Sequence, residues 1–313
     1  MVMDTKAARF DEGQVAQWRD EGAVLLQGFF TDAEIASARE DMQRVYGDRR
    51  QGEGEGNAHR EDHGETIGVF DANQFRNFDD MPFDCSPALN LLGLNPDLVA
   101  FAQAALGCEH VHLYQAHAWA KFTGQADYEQ PFHCDFKNHT LTVPSDDHRL
   151  RTVNFMIYLT DVTEEHGAIH YVPNSASDPI TGSERAMFLD GDVGAQHALK
   201  AVERTGAARA GTVFAYGIDV YHRGSNLTAP DAHRYTLTAS YKKAGNDMIG
   251  WSAWPFSFLK PWHLIFHNAT PEQLACIGVP APGDPFWTER TLSRAQDRWP
   301  GWDMKPYRDA LST

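Results

Sequence analysis

The chain is poor in cysteine and in positive charge, and it has no long apolar run. Its four cysteines, Cys85, Cys108, Cys134 and Cys276, are widely spaced with no Cys-x-x-Cys pair, which excludes a disulfide-dense scaffold and fits a reducing cytoplasm. Lys and Arg total 27 against 43 Asp and Glu, a formal charge of −16. A surface of that sign repels phosphate backbones and anionic lipid heads, so neither nucleic acid nor a membrane is an expected partner. No uninterrupted stretch of about 18 apolar residues occurs, and MVMDTKAARFDEG has no basic segment followed by an apolar one. The expectation is a soluble, cytoplasmic, unexported protein. Gly-x-Gly-x-x-Gly and P-loop patterns are also missing, which argues against a nucleotide-binding parallel sheet.

What is present suffices for a sizeable core: 313 residues, 42% hydrophobic and 12% aromatic. No proline-rich or serine-rich linker divides them, so one domain is expected over residues 1–313. Its first part, 1–109, reads as mainly helical. GAVLLQGFF, Gly22 to Phe30, predicts a short buried strand, and Thr31 with Glu34 has capping-box spacing for a helix running to Tyr46. The glycine-rich, charged stretch from Gly47 to Glu65 reads as a loop able to close over a ligand. Asn95, Pro96 and Gly107 bracket another helix as N-cap, first turn and terminator.

From His110 the pattern becomes β. HVHLYQAHAWAKF, PFHCDF, RTVNFMIYL, GAIHYVP, GTVFAYGI and RYTLTASYKK are six strand candidates separated by turns, which predicts a jelly-roll core over 110–245. The segment 246–313 is an extension rich in Trp and Phe. Its aromatics pack on the outside of the barrel in one reading and wall a substrate pocket in the other.

In PFHCDF, His133 and Asp135 are two apart on an expected strand, so both side chains project from one face and the Cys134 thiol from the other. Such a pair, with a second imidazole from elsewhere, makes the facial triad that holds iron(II) and leaves positions open. His-x-acid pairs also occur at His59/Glu61 and His63/Glu65, in the charged loop, where nothing imposes strand geometry. The distal imidazole is expected from His222, after the apolar strand of GTVFAYGIDVYHRG. Twelve residues later Arg234 leads a strand with Thr236, Thr238 and Ser240 on its face and Tyr235, Leu237, Ala239 and Tyr241 on the other. A guanidinium there suits the far carboxylate of a dicarboxylate chelating the metal.

These blocks together, with GAVLLQGFFTDAEI and LTDVTEEHGAIHYVPNSA, resemble the phytanoyl-CoA dioxygenase family of iron(II)- and 2-oxoglutarate-dependent oxygenases, from about Gly22 to Tyr241. The resemblance implies a double-stranded β-helix (cupin-like jelly roll), iron(II) on His133, Asp135 and His222, and Arg234 as partner of the 2-oxoglutarate carboxylate. It implies oxidation by dioxygen, with 2-oxoglutarate passing to succinate and carbon dioxide, and hydroxylation of a C–H bond in a small metabolite or natural-product intermediate. Related halogenases replace the carboxylate ligand by a small residue, so Asp135 disfavours halogenation. The chain departs from the pattern at Gly224, where many relatives have a serine assisting the arginine, and Ser225 follows one position later. Pro173-Asn174-Ser175-Ala176 stands for the usual Pro-Gly-Ser-His turn. Lys121 and Gln115, on the preceding strand, are further candidates for co-substrate contact, and the insert Phe136 to Arg149 is placed to cover the pocket. The alternative is a non-oxidative metal-binding cupin-like protein, an isomerase, hydrolase or ligand-binding module.

Overall fold

The computed structural model describes residues 9–47, 77–124, 129–141, 143–182, 192–250 and 260–311. Helix α1 (Glu12–Glu21) leads into strand β1 (Ala23–Leu26), and α2 spans Asp32–Tyr46 with Thr31 and Glu34 closing the expected capping box. Strand β2 (Phe78–Asp80) precedes α3 (Pro87–Leu92) and α4 (Pro96–Leu106). The Asn95 side chain accepts from the Asp97 N–H, and Gly107 ends α4 in the left-handed region. Then come β3 (Val111–Phe122), β4 (Thr152–Tyr158), β5 (His170–Val172), α5 (Asn174–Thr181), α6 (Val193–Ala201) and β6 (Arg204–Thr205). Strands β7 (Val213–Tyr216), β8 (Tyr221–Arg223) and β9 (His233–Lys243) follow, and helices α7 (His263–Phe266), α8 (Pro271–Cys276), α9 (Glu289–Arg298) and α10 (Lys305–Leu311) finish the chain. No described helix is long and apolar enough to cross a membrane.

Two antiparallel sheets form the jelly roll, one ordered β1-β7-β4-β9-β3-β2 and the other β6-β5-β8. The alternation read in β9 is realised: Tyr235, Leu237, Ala239 and Tyr241 enter the main hydrophobic core with Ala116, Ala118 and Ala120 of β3, Ile35 and Met42 of α2, and Phe101 of α4. Trp262, Trp287 and Trp302 belong to that same core, which favours the packing role for these C-terminal aromatics. Trp251, Trp254, Phe256 and Phe258 lie outside the described residues.

The opposite face of the large sheet forms ordered cross-strand rows. Gln115, Ser240, Asn154 and Tyr216 stand in one, and His117, Thr238 and Met156 in the next. Trp119 pairs with Thr236, and Lys121 with Arg234. Six residues of strand separate the first row from the last, about 20 Å.

Two expectations are corrected. PFHCDF is not a ladder strand: only His133 bridges to His222, and Asp135–Asn138 is a 3-10 turn. Its partner β8 has three residues, and on the other edge the buried Gln196 amide of α6 takes the place of a strand, accepting from Phe132 N at 2.8 Å and donating to Phe132 O at 2.9 Å. Pro173-Asn174-Ser175-Ala176 is not a turn but the start of α5, where Glu21 accepts hydrogen bonds from the Ser175 N–H and hydroxyl. The segment read as mainly helical carries α1 to α4, and it also supplies the edge strands of the large sheet, the expected β1 and the additional β2.

Candidate active site

Backbone pairing brings the proposed ligands together. His133 and His222 exchange both N–H···O bonds at 3.0 Å, which fixes their Cα atoms across from one another. Cys134 is extended (φ −112°, ψ 143°), so His133 and Asp135 project to one side even without a ladder. The Cys134 thiol turns into a cluster with Phe132, Phe136 and Ile218 and donates to the Asp219 carbonyl at 3.3 Å.

His133 Nε2 lies 3.6 Å from Asp135 Oδ1, and His222 Nε2 lies 3.4 Å from Asp135 Oδ2. One donor atom from each residue falls within 4.8 Å of the other two. The tautomers are set: His133 Nδ1 meets the Pro131 carbonyl at 2.9 Å and His222 Nδ1 the Val220 carbonyl at 3.0 Å. A carbonyl only accepts, so Nδ1 carries the proton and each Nε2 keeps a lone pair. Burial pushes the Asp135 carboxyl up, but the imidazoles of His222 and His133 outweigh it and hold it below its usual value. Two nitrogen lone pairs and one carboxylate on one side are the donor set of an iron(II) site with open positions.

The cluster opens on a cavity of about 650 Å³ lined by all four rows of the large sheet. At one end stand Lys121 and Arg234, 9% and 7% exposed. Burial and the neighbouring guanidinium push the Lys121 ammonium well below its usual pKa. Arg234 donates from Nη1 to the Gly167 carbonyl. Gly167 adopts φ +73°, and a Cβ there would sit 2.7 Å from the Ser225 carbonyl, so the turn that receives Arg234 needs glycine. Two buried cations side by side repel one another and fit an anion between them.

The sequence model of phytanoyl-CoA dioxygenase matches residues 18–234. The chain belongs to the phytanoyl-CoA dioxygenase family. Membership places it, at the level of class, among oxygenase-type enzymes that work with iron(II), 2-oxoglutarate and dioxygen. Among solved structures, EctD from S. alaskensis, crystallised with 2-oxoglutarate and 5-hydroxyectoine, superposes with a TM-score of 0.55 at 20% identity over 83% of this chain and 85% of its own. The non-heme α-ketoglutarate-dependent carbocyclase SnoK from nogalamycin biosynthesis gives 0.56 at 18% identity, over 75% and 85%. The epimerase SnoN from nogalamycin biosynthesis gives 0.52 at 18%, over 74% and 82%. These likenesses carry the jelly-roll fold alone. No curated protein sequence matches significantly.

Within this phytanoyl-CoA dioxygenase fold the remaining candidates part company. Lys121 joins Arg234. Gln115 lines the cavity three rows away and donates to Ser240 Oγ at 3.2 Å, so it stands apart from the cationic pair. Ser225 does not line the cavity, because its hydroxyl donates to the Ala168 carbonyl at 2.6 Å and holds the turn beside Gly167. At Gly224 a Cβ would lie 2.8 Å from Gln130 Oε1, which accepts the Gly224 N–H, so the glutamine fills the space beside that position. Of the insert, Asn138 and His139 line the cavity while Leu141 and Val143 are exposed. His59, Glu61, His63 and Glu65 lie outside the described residues.

Sequence reasoning missed two histidines. His117 Nδ1 pairs with Asp80 Oδ1 at 2.5 Å, and His139 Nδ1 with the Tyr114 hydroxyl at 2.5 Å. Burial is the main cause that lowers the His139 pKa to about 4, with Asp135 pulling it up and His117 and His222 pushing it down. The spacing Gln115, His117, Trp119, Lys121 carried a signal for His117, since these alternate residues share a face.

Proposed function

We propose that this chain is a hydroxylase of a small molecule, with His133, Asp135 and His222 holding iron(II) and with Arg234 and Lys121 gripping the remote carboxylate of 2-oxoglutarate. The observation that carries the reading is that three convergent metal donors and a buried cationic pair share one cavity. When bound, iron(II) with 2-oxoglutarate and dioxygen supplies the oxidising power that removes hydrogen from a C–H bond.

The protein's own contribution is positional. Carbonyl bonds to both Nδ1 atoms keep His133 and His222 in the ligating tautomer. Asp135 spans both imidazoles with its two oxygens. A carboxylate arriving there raises the Lys121 pKa back towards its usual value, because the anion offsets the Arg234 charge. Thr236 Oγ1, fully buried on the row beside that pair, has no hydrogen-bond partner among the described residues and suits a polar ligand. Keeping the carboxylate as the third ligand favours hydroxylation over halogenation.

The test is a metabolite screen for compounds that stimulate succinate formation, followed by mass analysis of the product. A gain of one oxygen supports the proposal. Succinate formation coupled to epimerisation or ring closure, with no oxygen gained, replaces hydroxylation by another oxidative outcome. A hydrolytic or isomerising cupin would turn over without 2-oxoglutarate, and would leave the Arg234 clamp without a purpose.

A further inference from the structure

The four rows divide the cavity by charge. Among the described lining residues the only Lys and Arg are Lys121 and Arg234, at one end, and the only Asp or Glu is the metal-site Asp135. The other end has no Lys, Arg, Asp or Glu among its described lining residues but is rich in hydrogen-bonding groups: Gln115, His117, Asn138, His139, Asn154 and Thr238. Two of these are held by partners behind them. Asp80 engages His117 through Nδ1, and Tyr114 engages His139 through Nδ1, so in both rings Nε2 is the atom with no hydrogen-bond partner among the described residues. Asn154 is 1% exposed, and its Nδ2 likewise has no partner. Beside them lie flat apolar faces. The Phe78 ring packs 4.5 Å from the His117 ring and 4.5 Å from Trp119, and all three line the cavity.

We infer that this end is a recognition site for a neutral, polyhydroxylated small molecule, bound through the Nε2 atoms of His117 and His139 and the Asn154 amide, with its C–H face on Phe78 and Trp119. A carboxylate or phosphate needs a cation, and the cations are four residues further along β3 from His117, about 13 Å away. An ammonium needs an uncommitted carboxylate, whereas Asp80 faces His117 and Asp135 faces the two ligand imidazoles. A hydroxyl group both donates and accepts, so it satisfies Nε2 in either tautomer. Aromatic rings flanked by such groups complete a site with an apolar wall and a few convergent polar atoms.

The inference rests on the oxygenase reading for its chemistry but is tested by binding. Calorimetric titration of the anaerobic protein loaded with iron(II) and 2-oxoglutarate would use three probes sharing one ring: phenyl β-D-glucoside, phenylacetate and phenethylamine. The glucoside is expected to bind about tenfold tighter than either charged probe, a difference of one hydrogen bond or more. His117→Leu should weaken the glucoside about tenfold while leaving the visible band of the iron–2-oxoglutarate complex unchanged, and Phe78→Ala should weaken it with the His117 pair intact. Absence of glucoside binding, equal binding of all three probes, or unchanged affinity in both variants would overturn the assignment. Loss of affinity in His117→Leu in a protein that never forms the band would support the recognition site and remove the oxygenase reading instead.

Discussion

Lys121 stands directly across from Arg234 on neighbouring antiparallel strands, and both cationic side chains are buried against the same cavity. Without an anion this pairing is unfavourable, since both groups lose water and repel one another. In the proposed complex the remote carboxylate of 2-oxoglutarate would lie between them and turn the pair into a clamp.

Arg234→Ala should therefore raise the 2-oxoglutarate requirement about 30-fold or more, the loss of a charge-assisted hydrogen bond, while iron binding stays largely intact. Steady-state kinetics with metal analysis checks both halves. Equal loss of metal would contradict the clamp role.

Lys121→Met should have two opposite effects. It weakens 2-oxoglutarate binding about tenfold, and it raises the melting temperature of the co-substrate-free protein by about 2 °C or more, because one of two facing buried cations is gone. Thermal melts with and without 2-oxoglutarate measure both. A variant that melts lower in both states would mean that Lys121 is a structural cation.

How much of this was legible in the residues depended on the range of the interaction. Helix caps are local, so Thr31 with Glu34 and Asn95 with Gly107 announced α2 and α4 to the residue. Alternation is local too, and it separated the Arg234 face of β9 from its Tyr235 face. His133 and Asp135 were found for the same reason, although an extended Cys134, and not a strand ladder, provides the spacing. Asp80 could not be assigned to His117, because β2 has three residues and its register on β3 is a long-range outcome. Ser225 misled because one position along a tight turn decides whether a hydroxyl faces a cavity or a carbonyl.

Acid sensitivity follows from His139. Its pKa falls from the ordinary 6.5 to about 4 in the folded protein, so the unfolded chain binds the extra proton between those values. Its contribution to stability is complete above about pH 6.5 and is lost as pH falls towards 4, up to about 3 kcal/mol in order of magnitude. His139→Gln should flatten the fall in melting temperature across that window. An equally steep fall in the variant would assign the acid response to other groups.

The central claim is that His133, Asp135 and His222 hold one iron(II) to which 2-oxoglutarate binds. Anaerobic addition of iron(II) and 2-oxoglutarate tests it most directly. One iron per chain and a weak visible charge-transfer band are expected in the wild type, and both should be lost in Asp135→Ala. An unaltered band and iron content in that variant, or no band in the wild type with zinc retained tightly, would contradict the account.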